Sequence, residues 1–196
     1  MTALRAGLPK RPAVFIDKDG TLVEDVPYNV DPARLRLTRG AAEALRLLAR
    51  HGNRLVVVTN QPGIAMNLFD RAALDRLQQA LFEMLARHDV QLDGFYACPH
   101  AAPTEAAASG CVCRKPAPGL LLQAAHELRL DLSHSWMVGD ILNDVEAGRR
   151  AGCRTVMLDV GNETEWLESP WRVPHHKAGD LLQAAELIVA AASSPH

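Results

Sequence analysis

Short, continuously apolar runs alternate along the chain with longer stretches in which apolar residues return every three or four positions. The short runs are Val14-Phe15-Ile16, Leu55-Val56-Val57-Val58, Phe95-Tyr96-Ala97, Trp136-Met137-Val138 and Thr155-Val156-Met157-Leu158, and each reads as a buried strand. Between them the spacing predicts helices. Ala42, Leu45, Leu48 and Ala49 share one face of a segment from Arg39 to His51, and Gly52 stands where a helix ends. Asp70 is a capping residue for a helix reaching His88, with Leu74, Leu77, Leu81 and Leu85 in line. Pro118 suits the first turn of a helix through Leu128. A fourth helix is expected from Asp144 to Ala151, and Asp180 caps a last one from Leu181 to Ala191. Ala101 to Gly110 reads as a loop, Glu163 to Gly179 as another packed on the domain edge, and His175-His176-Lys177 as a solvated stretch.

Strand and helix in alternation imply an α/β fold, a doubly wound parallel sheet with helices on both faces. Continuously apolar strands fit a sheet covered on both sides. There is no internal repeat and no long linker, so one domain is expected over 1–196, with its core at about 12–160 and a C-terminal helix at about 180–191. In such folds ligands bind beyond the carboxyl ends of the strands. Polar groups stand at those ends here: Asp17 after the first strand, Thr59 and Asn60 after the second, Asp140 after the fourth.

Composition narrows the classes. The 196 residues are 48% apolar, enough for a sizeable core, and a net charge of −2 with 5% aromatics offers nothing to a nucleic acid. Met1 to Pro12 has no apolar stretch of signal-peptide length, and no run approaches the roughly 20 apolar residues of a membrane helix. A cytoplasmic protein is expected, a monomer with neither membrane nor nucleic-acid partner.

The candidate chemistry begins at Asp17-Lys18-Asp19-Gly20-Thr21. Two carboxylates two residues apart after a buried strand can divide the labour of phosphate-ester hydrolysis. One attacks phosphorus, and the other protonates the leaving oxygen and then deprotonates water. An acidic turn is the plainer alternative. At the second strand end, Thr59-Asn60-Gln61 offers uncharged donors to a phosphate, or else a cap. In Arg114-Lys115-Pro116, Lys115 supplies a compact positive charge and Arg114 a planar fork for a second phosphate. Asp140 can share a Mg²⁺ with Asp17, the backbone carbonyl of Asp19 adding a further oxygen, while Asp144 stands behind it or merely in the first turn of its helix.

Three of the four cysteines gather around a histidine: Cys98-Pro99-His100 and Cys111-Val112-Cys113. Three thiolates and an imidazole form a closed structural Zn²⁺ set. A disulfide among the thiols, or three unrelated cysteines, would use the same residues. Cys153 reads as core.

Taken in order, these motifs resemble the haloacid dehalogenase superfamily of phosphohydrolases over about Val14 to Val160. The resemblance implies Asp17 as nucleophile, Asp19 as general acid/base, Thr59 and Lys115 as phosphate ligands, and Asp17, Asp19 and Asp140 as the Mg²⁺ site. Cys-Pro-His followed by Cys-x-Cys-Arg-Lys-Pro-x-Pro-Gly is similar to the D,D-heptose-1,7-bisphosphate phosphatases and the related histidinol-phosphatase domains. That likeness implies an essentially capless enzyme with a zinc-binding loop at 98–113. Its substrate contacts would come from Asp25, Val26, Pro27 and Tyr28, from Thr59, Asn60, Gln61 and Pro62, and from Arg114 and Lys115. The implied substrate is a small phosphorylated sugar, a heptose 1,7-bisphosphate hydrolysed at the 7-phosphate, in surface-glycan precursor synthesis. Histidinol phosphate or another small phosphomonoester is the second reading, and a non-catalytic zinc-stabilised binding module the third.

Overall fold

The computed structural model describes residues 9–102, 110–167 and 169–193, so most of the expected loop from Ala101 to Gly110 lies outside the described residues. Six parallel strands form one sheet: β1 (Ala13–Ile16), β2 (Arg54–Asn60), β3 (Gly94–Cys98), β4 (Trp136–Gly139), β5 (Arg154–Leu158) and β6 (His176–Ala178). Their order is β3-β2-β1-β4-β5-β6. The order reverses at β1, whose Phe15 pairs with Val56 of β2 on one side and Met137 of β4 on the other. That reversal is the switch point, and it opens a crevice at the carboxyl ends of β1 and β4.

Alternation of side chains along each strand divides the core in two. Val14, Ile16, Leu55, Val57, Val138 and Val156 face α1 (Ala41–Arg50), α2 (Arg71–Ala86) and α5 (Leu181–Ser193). Leu45, Leu48, Leu74, Leu77, Leu81, Leu85, Ala184 and Ile188 fill that layer, so the apolar stripe of the last helix is core. Phe15, Val56, Val58 and Met137 face the opposite way, towards α3 (Gly119–Leu128) and α4 (Leu142–Arg150) through Leu120, Leu121, Ala124 and Ala147. Cys153 is buried in this second layer, as expected. Each fully buried Leu, Val or Phe here contributes about 1.5–3 kcal/mol relative to an exposed one.

The helix boundaries follow their caps. Asp70 Oδ1 accepts from the Ala73 N–H at 2.8 Å and starts α2, as its position in the sequence implies. The first helix begins at Ala41 rather than Arg39, because Gly40 sits in the left-handed region at φ 74°. The fourth begins at Leu142, two residues before Asp144, because the Glu163 carboxylate takes the Leu142 N–H at 2.6 Å.

One expectation is corrected. Glu163 to Gly179 is not loop throughout: His176 to Ala178 forms the edge strand β6, paired with Val156 to Leu158, while His175 and Lys177 stay exposed. The His175 N–H donates to the Thr155 carbonyl at 3.1 Å, and the Thr155 N–H donates back to His175 Nδ1 at 3.0 Å. A strand of three residues with an outward lysine is a common form for a sheet edge and carries almost no periodic signal. No helix among the described residues is long and apolar enough to cross a membrane.

Candidate active site

Asp17 continues β1 by one residue, its N–H donating to the Val138 carbonyl at 2.9 Å. The chain then turns back on itself: the N–H groups of Leu22 and Val23 both donate to the Lys18 carbonyl, at 3.0 and 2.9 Å. Gly20 makes the turn possible in two ways. It takes φ +82°, and a Cβ there would stand 2.2 Å from Asp140 Oδ2 and 2.6 Å from Asn162 Nδ2.

Opposite Asp17 lies Lys115, only 2% exposed. Its Nζ meets Asp17 Oδ1, pairs with Asp144 Oδ1 at 2.6 Å and donates to the Val58 carbonyl at 2.9 Å. Two hydrogen bonds and an ion pair fix the ammonium beside the nucleophile candidate. The Asn60 amide holds Lys115 from behind: its Oδ1 accepts the Lys115 N–H at 3.0 Å and its Nδ2 donates to the Lys115 carbonyl at 3.1 Å. Asn60 also lines the cavity described below. A half-buried amide facing a peptide group satisfies both at once, and here it clamps the segment that carries the lysine.

Asp19 is held by two donors, Lys18 Nζ on Oδ1 and Gln61 Nε2 on Oδ2 at 3.0 Å. Gln61 Nε2 also donates to Thr59 Oγ1 at 2.9 Å, which leaves the Thr59 hydroxyl proton free for a ligand. Sequence reasoning passed over Lys18. It is 2% exposed, and the only signal is a cation placed between two acids at the end of a buried strand.

Asp140 Oδ1 accepts from Thr21 Oγ1 at 3.1 Å and Oδ2 from Asn162 Nδ2 at 2.7 Å. Asp17, Asp140 and Asp144 bring carboxylate oxygens within 4.8 Å of one another, all three residues buried. Burial pushes the Asp17 carboxyl upward, and Asp144 and Asp19 add to the rise against the opposing effect of Lys115. Asp140 is pushed up to about 6, first by burial and then by Asp17, with Asn162 and Thr21 pulling it back. Asp144 is raised by burial in spite of Lys115. For Lys115 burial acts downward, but Asp144 and Asp17 outweigh it and the net shift is upward. Three buried carboxylates facing one buried ammonium leave an excess of negative charge. Hard oxygen donors crowded in this way suit a divalent cation such as Mg²⁺.

These groups line a cavity of about 190 Å³, formed by Asp17, Asp19, Thr59, Asn60, Lys115 and Asp140 together with Asp25, Ile141 and Asn162. Pockets that enclose a whole ligand span about 300–1,000 Å³, so a cavity of this size suits the phosphoryl end of a substrate. Of the other expected contacts, only Asp25 reaches the lining. Burial raises its carboxyl, and Asp19 adds to the rise. Tyr28 is 49% exposed with φ 55°, and Val26, Pro27, Gln61 and Pro62 lie outside the lining with it. Arg114 lines an adjoining cavity of about 290 Å³ with Asn143 and Arg150, its guanidinium donating to the His100 carbonyl at 3.0 Å.

The thiols of Cys98, Cys111 and Cys113 lie 3.2–3.5 Å apart, and His100 Nδ1 is 3.5 Å from Cys98 Sγ and 3.3 Å from Cys113 Sγ. None of these cysteines is joined in a disulfide in this structure. Zn–S bonds of about 2.3 Å place the sulfurs of a tetrahedron a little under 4 Å apart, so three sulfurs and one nitrogen gathered this closely fit a Zn²⁺ ion. The Arg114 N–H donates to Cys111 Sγ at 3.3 Å, joining the cluster directly to the segment that carries Lys115.

A β1 carboxylate pair facing a buried lysine and an acidic β4 end, on this strand order, defines a hydrolase of the haloacid dehalogenase class. The HAD-hydrolase-like family model matches residues 112–184. The D-glycero-beta-D-manno-heptose-1,7-bisphosphate 7-phosphatase of Escherichia coli K12 is 42% identical over 149 residues, covering 75% of this chain and 78% of its own. The enzyme of that name from Haemophilus influenzae is 42% identical over 137 residues, 69% of this chain and 74% of its own. The crystal structure of D,D-heptose 1,7-bisphosphate phosphatase from B. bronchiseptica, complexed with magnesium and phosphate, superposes with a TM-score of 0.76 at 28% identity, covering 92% of this chain and 99% of its own. The chain belongs to the heptose-1,7-bisphosphate 7-phosphatase family of HAD phosphatases. It is a phosphatase.

Proposed function

We propose that this phosphatase hydrolyses the 7-phosphate of a heptose 1,7-bisphosphate, with Mg²⁺ as its cofactor. The single observation carrying the chemistry is the pair formed by Asp17 Oδ1 and Lys115 Nζ at the switch point. Asp17 attacks phosphorus in line as the ester bond to the sugar oxygen breaks, giving a phosphoaspartyl group. Asp19, oriented by Lys18 and Gln61, gives its proton to the leaving alkoxide. It then takes a proton from the water that cleaves the acyl phosphate and releases inorganic phosphate. The Lys115 charge offsets that of the phosphoryl oxygens, and the Thr59 hydroxyl donates a hydrogen bond to them. A Mg²⁺ held by Asp17, Asp140 and the Asp19 carbonyl supplies further charge neutralisation when bound.

The phosphoryl end enters the 190 Å³ cavity beside Asp25, Thr59 and Asn60, and the sugar extends out of it. Arg114, beside its own cavity, faces the remaining phosphate. The relatives named above support this substrate. The test is phosphate release, with Mg²⁺ present, from heptose 1,7-bisphosphates, heptose 7-phosphate, histidinol phosphate and hexose bisphosphates. A preference of tenfold or more in kcat/KM for a heptose 1,7-bisphosphate is expected. A preference for histidinol phosphate, or activity spread evenly across the panel, would overturn the substrate.

Cys98, His100, Cys111 and Cys113 are proposed to hold one structural Zn²⁺, which ties β3 to the segment carrying Arg114 and Lys115. Purified protein should contain about one zinc per chain, and Cys111→Ser should lose both the zinc and much of the thermal stability. Unchanged metal content in that variant would dismiss the site.

A further inference from the structure

Sequence reasoning gave no role to the segment after β5, yet it reaches the catalytic cavity. Asn162 lines the cavity and donates to Asp140 Oδ2 at 2.7 Å. The next residue, Glu163, accepts the Leu142 N–H at 2.6 Å through Oε2 and so holds the first turn of α4. Two consecutive side chains therefore fasten this loop to both sides of the Asp140-Ile141 step. From the other direction Thr21 Oγ1 donates to Asp140 Oδ1 at 3.1 Å. With a donor on each oxygen, the carboxylate plane of Asp140 cannot rotate without breaking a hydrogen bond. The third side of the arrangement is Gly20, where a Cβ would overlap both Asp140 Oδ2 and Asn162 Nδ2. The nucleophile turn has no side chain where the Asp140–Asn162 pair rests.

We infer that Asn162 is a positioning residue that orients Asp140 for the divalent cation. This rests on the proposal that Asp140 is a cation ligand. A carboxylate oxygen has two lone-pair directions, and an amide donor on one leaves the other aimed in a fixed direction. Partners that orient metal ligands in this way typically affect affinity by about 10–100-fold. Asn162 is itself exposed, so its loss opens no hole in the core. Its effect should appear in cation binding, not in stability.

The experiment measures Mn²⁺ binding to the full-length protein without substrate, by electron paramagnetic resonance, alongside the Mg²⁺ concentration giving half-maximal activity. Asn162→Ala should weaken both by about tenfold. The melting temperature should stay within 1–2 °C of the parent, as for other exposed substitutions. The KM for the phosphate ester at saturating Mg²⁺ should be unchanged, and Asn162→Gln, which keeps the amide donor, should recover most of the loss. Native Mn²⁺ affinity in Asn162→Ala would overturn the inference, as would an effect confined to KM or to melting. Asp140→Asn separates the two levels of the argument. If that variant binds Mn²⁺ normally, the cation reading of Asp140 fails. If it loses binding while Asn162→Ala does not, only the role of Asn162 fails.

Discussion

Asp17→Asn should reduce kcat by about 10⁴-fold or more while leaving the fold intact, since removal of a catalytic nucleophile forfeits the covalent route altogether. The amide is nearly isosteric with the carboxylate, and the backbone tie from the Asp17 N–H to the Val138 carbonyl is untouched. Stability should hold or rise. The Asp17 carboxyl is pushed up by burial and by Asp144 and Asp19, so its ionised form is held at a cost that an uncharged amide avoids. Lys115 keeps Asp144 and the Val58 carbonyl as partners in the variant. Turnover is measured with saturating Mg²⁺ and melting by circular dichroism. Activity within tenfold of the parent would sink the covalent mechanism, whatever the melting temperature.

Lys115→Met should damage both activity and stability, and this separates it from Asp17→Asn. Methionine matches the lysine stem in volume but leaves Asp17 and Asp144 facing one another with no cation between them. Breaking a buried ion pair by removing one partner costs about 3–5 kcal/mol. For a chain of this length each kcal/mol is worth roughly 2–4 °C of melting temperature, so a fall of about 10 °C is expected. Mg²⁺ should return part of that loss, because a bound cation relieves the same repulsion. The rate should fall about 10³-fold with the phosphoryl oxygens left without their fixed positive charge. Native stability without added Mg²⁺ would show that the three carboxylates are not under the electrostatic load described here.

How much of this was legible in the sequence follows from the kind of signal each part leaves. The five longer strands are apolar because both sheet faces are covered, so their runs stand out, and α1 and α2 each carry a stripe of leucines and alanines. Edge strand β6 is invisible: His176-Lys177-Ala178 has no alternation, and it is a strand because the peptide groups of β5 are there to be paired. The site was legible where chemistry demands a residue type at a strand end, as at Asp17, Asp19, Thr59, Lys115 and Asp140. It was not legible where side chains serve one another. Asn60 reads as a phosphate donor, and nothing in the sequence shows that its amide also clamps the Lys115 peptide groups. Gln61 and Asn162 belong to pairings that exist only once the strand ends converge, 42 residues apart for Asp19 and Gln61 and 22 for Asp140 and Asn162, while Lys18 turns to its neighbour Asp19.

The strand order has a consequence for how the protein comes into being. Because β1 is flanked by β2 and β4, the reactive centre is split along the polypeptide: Asp17, Asp19 and Thr59 emerge in the first third, Lys115 past the midpoint, Asp140 later still. A nascent chain that has passed β3 already displays both β1 carboxylates, but it lacks the ammonium that opposes them and the acid that completes the set. No product of interrupted synthesis ending before residue 140 carries a whole site, so phosphate-ester cleavage begins only after the second half of the sheet has found the first.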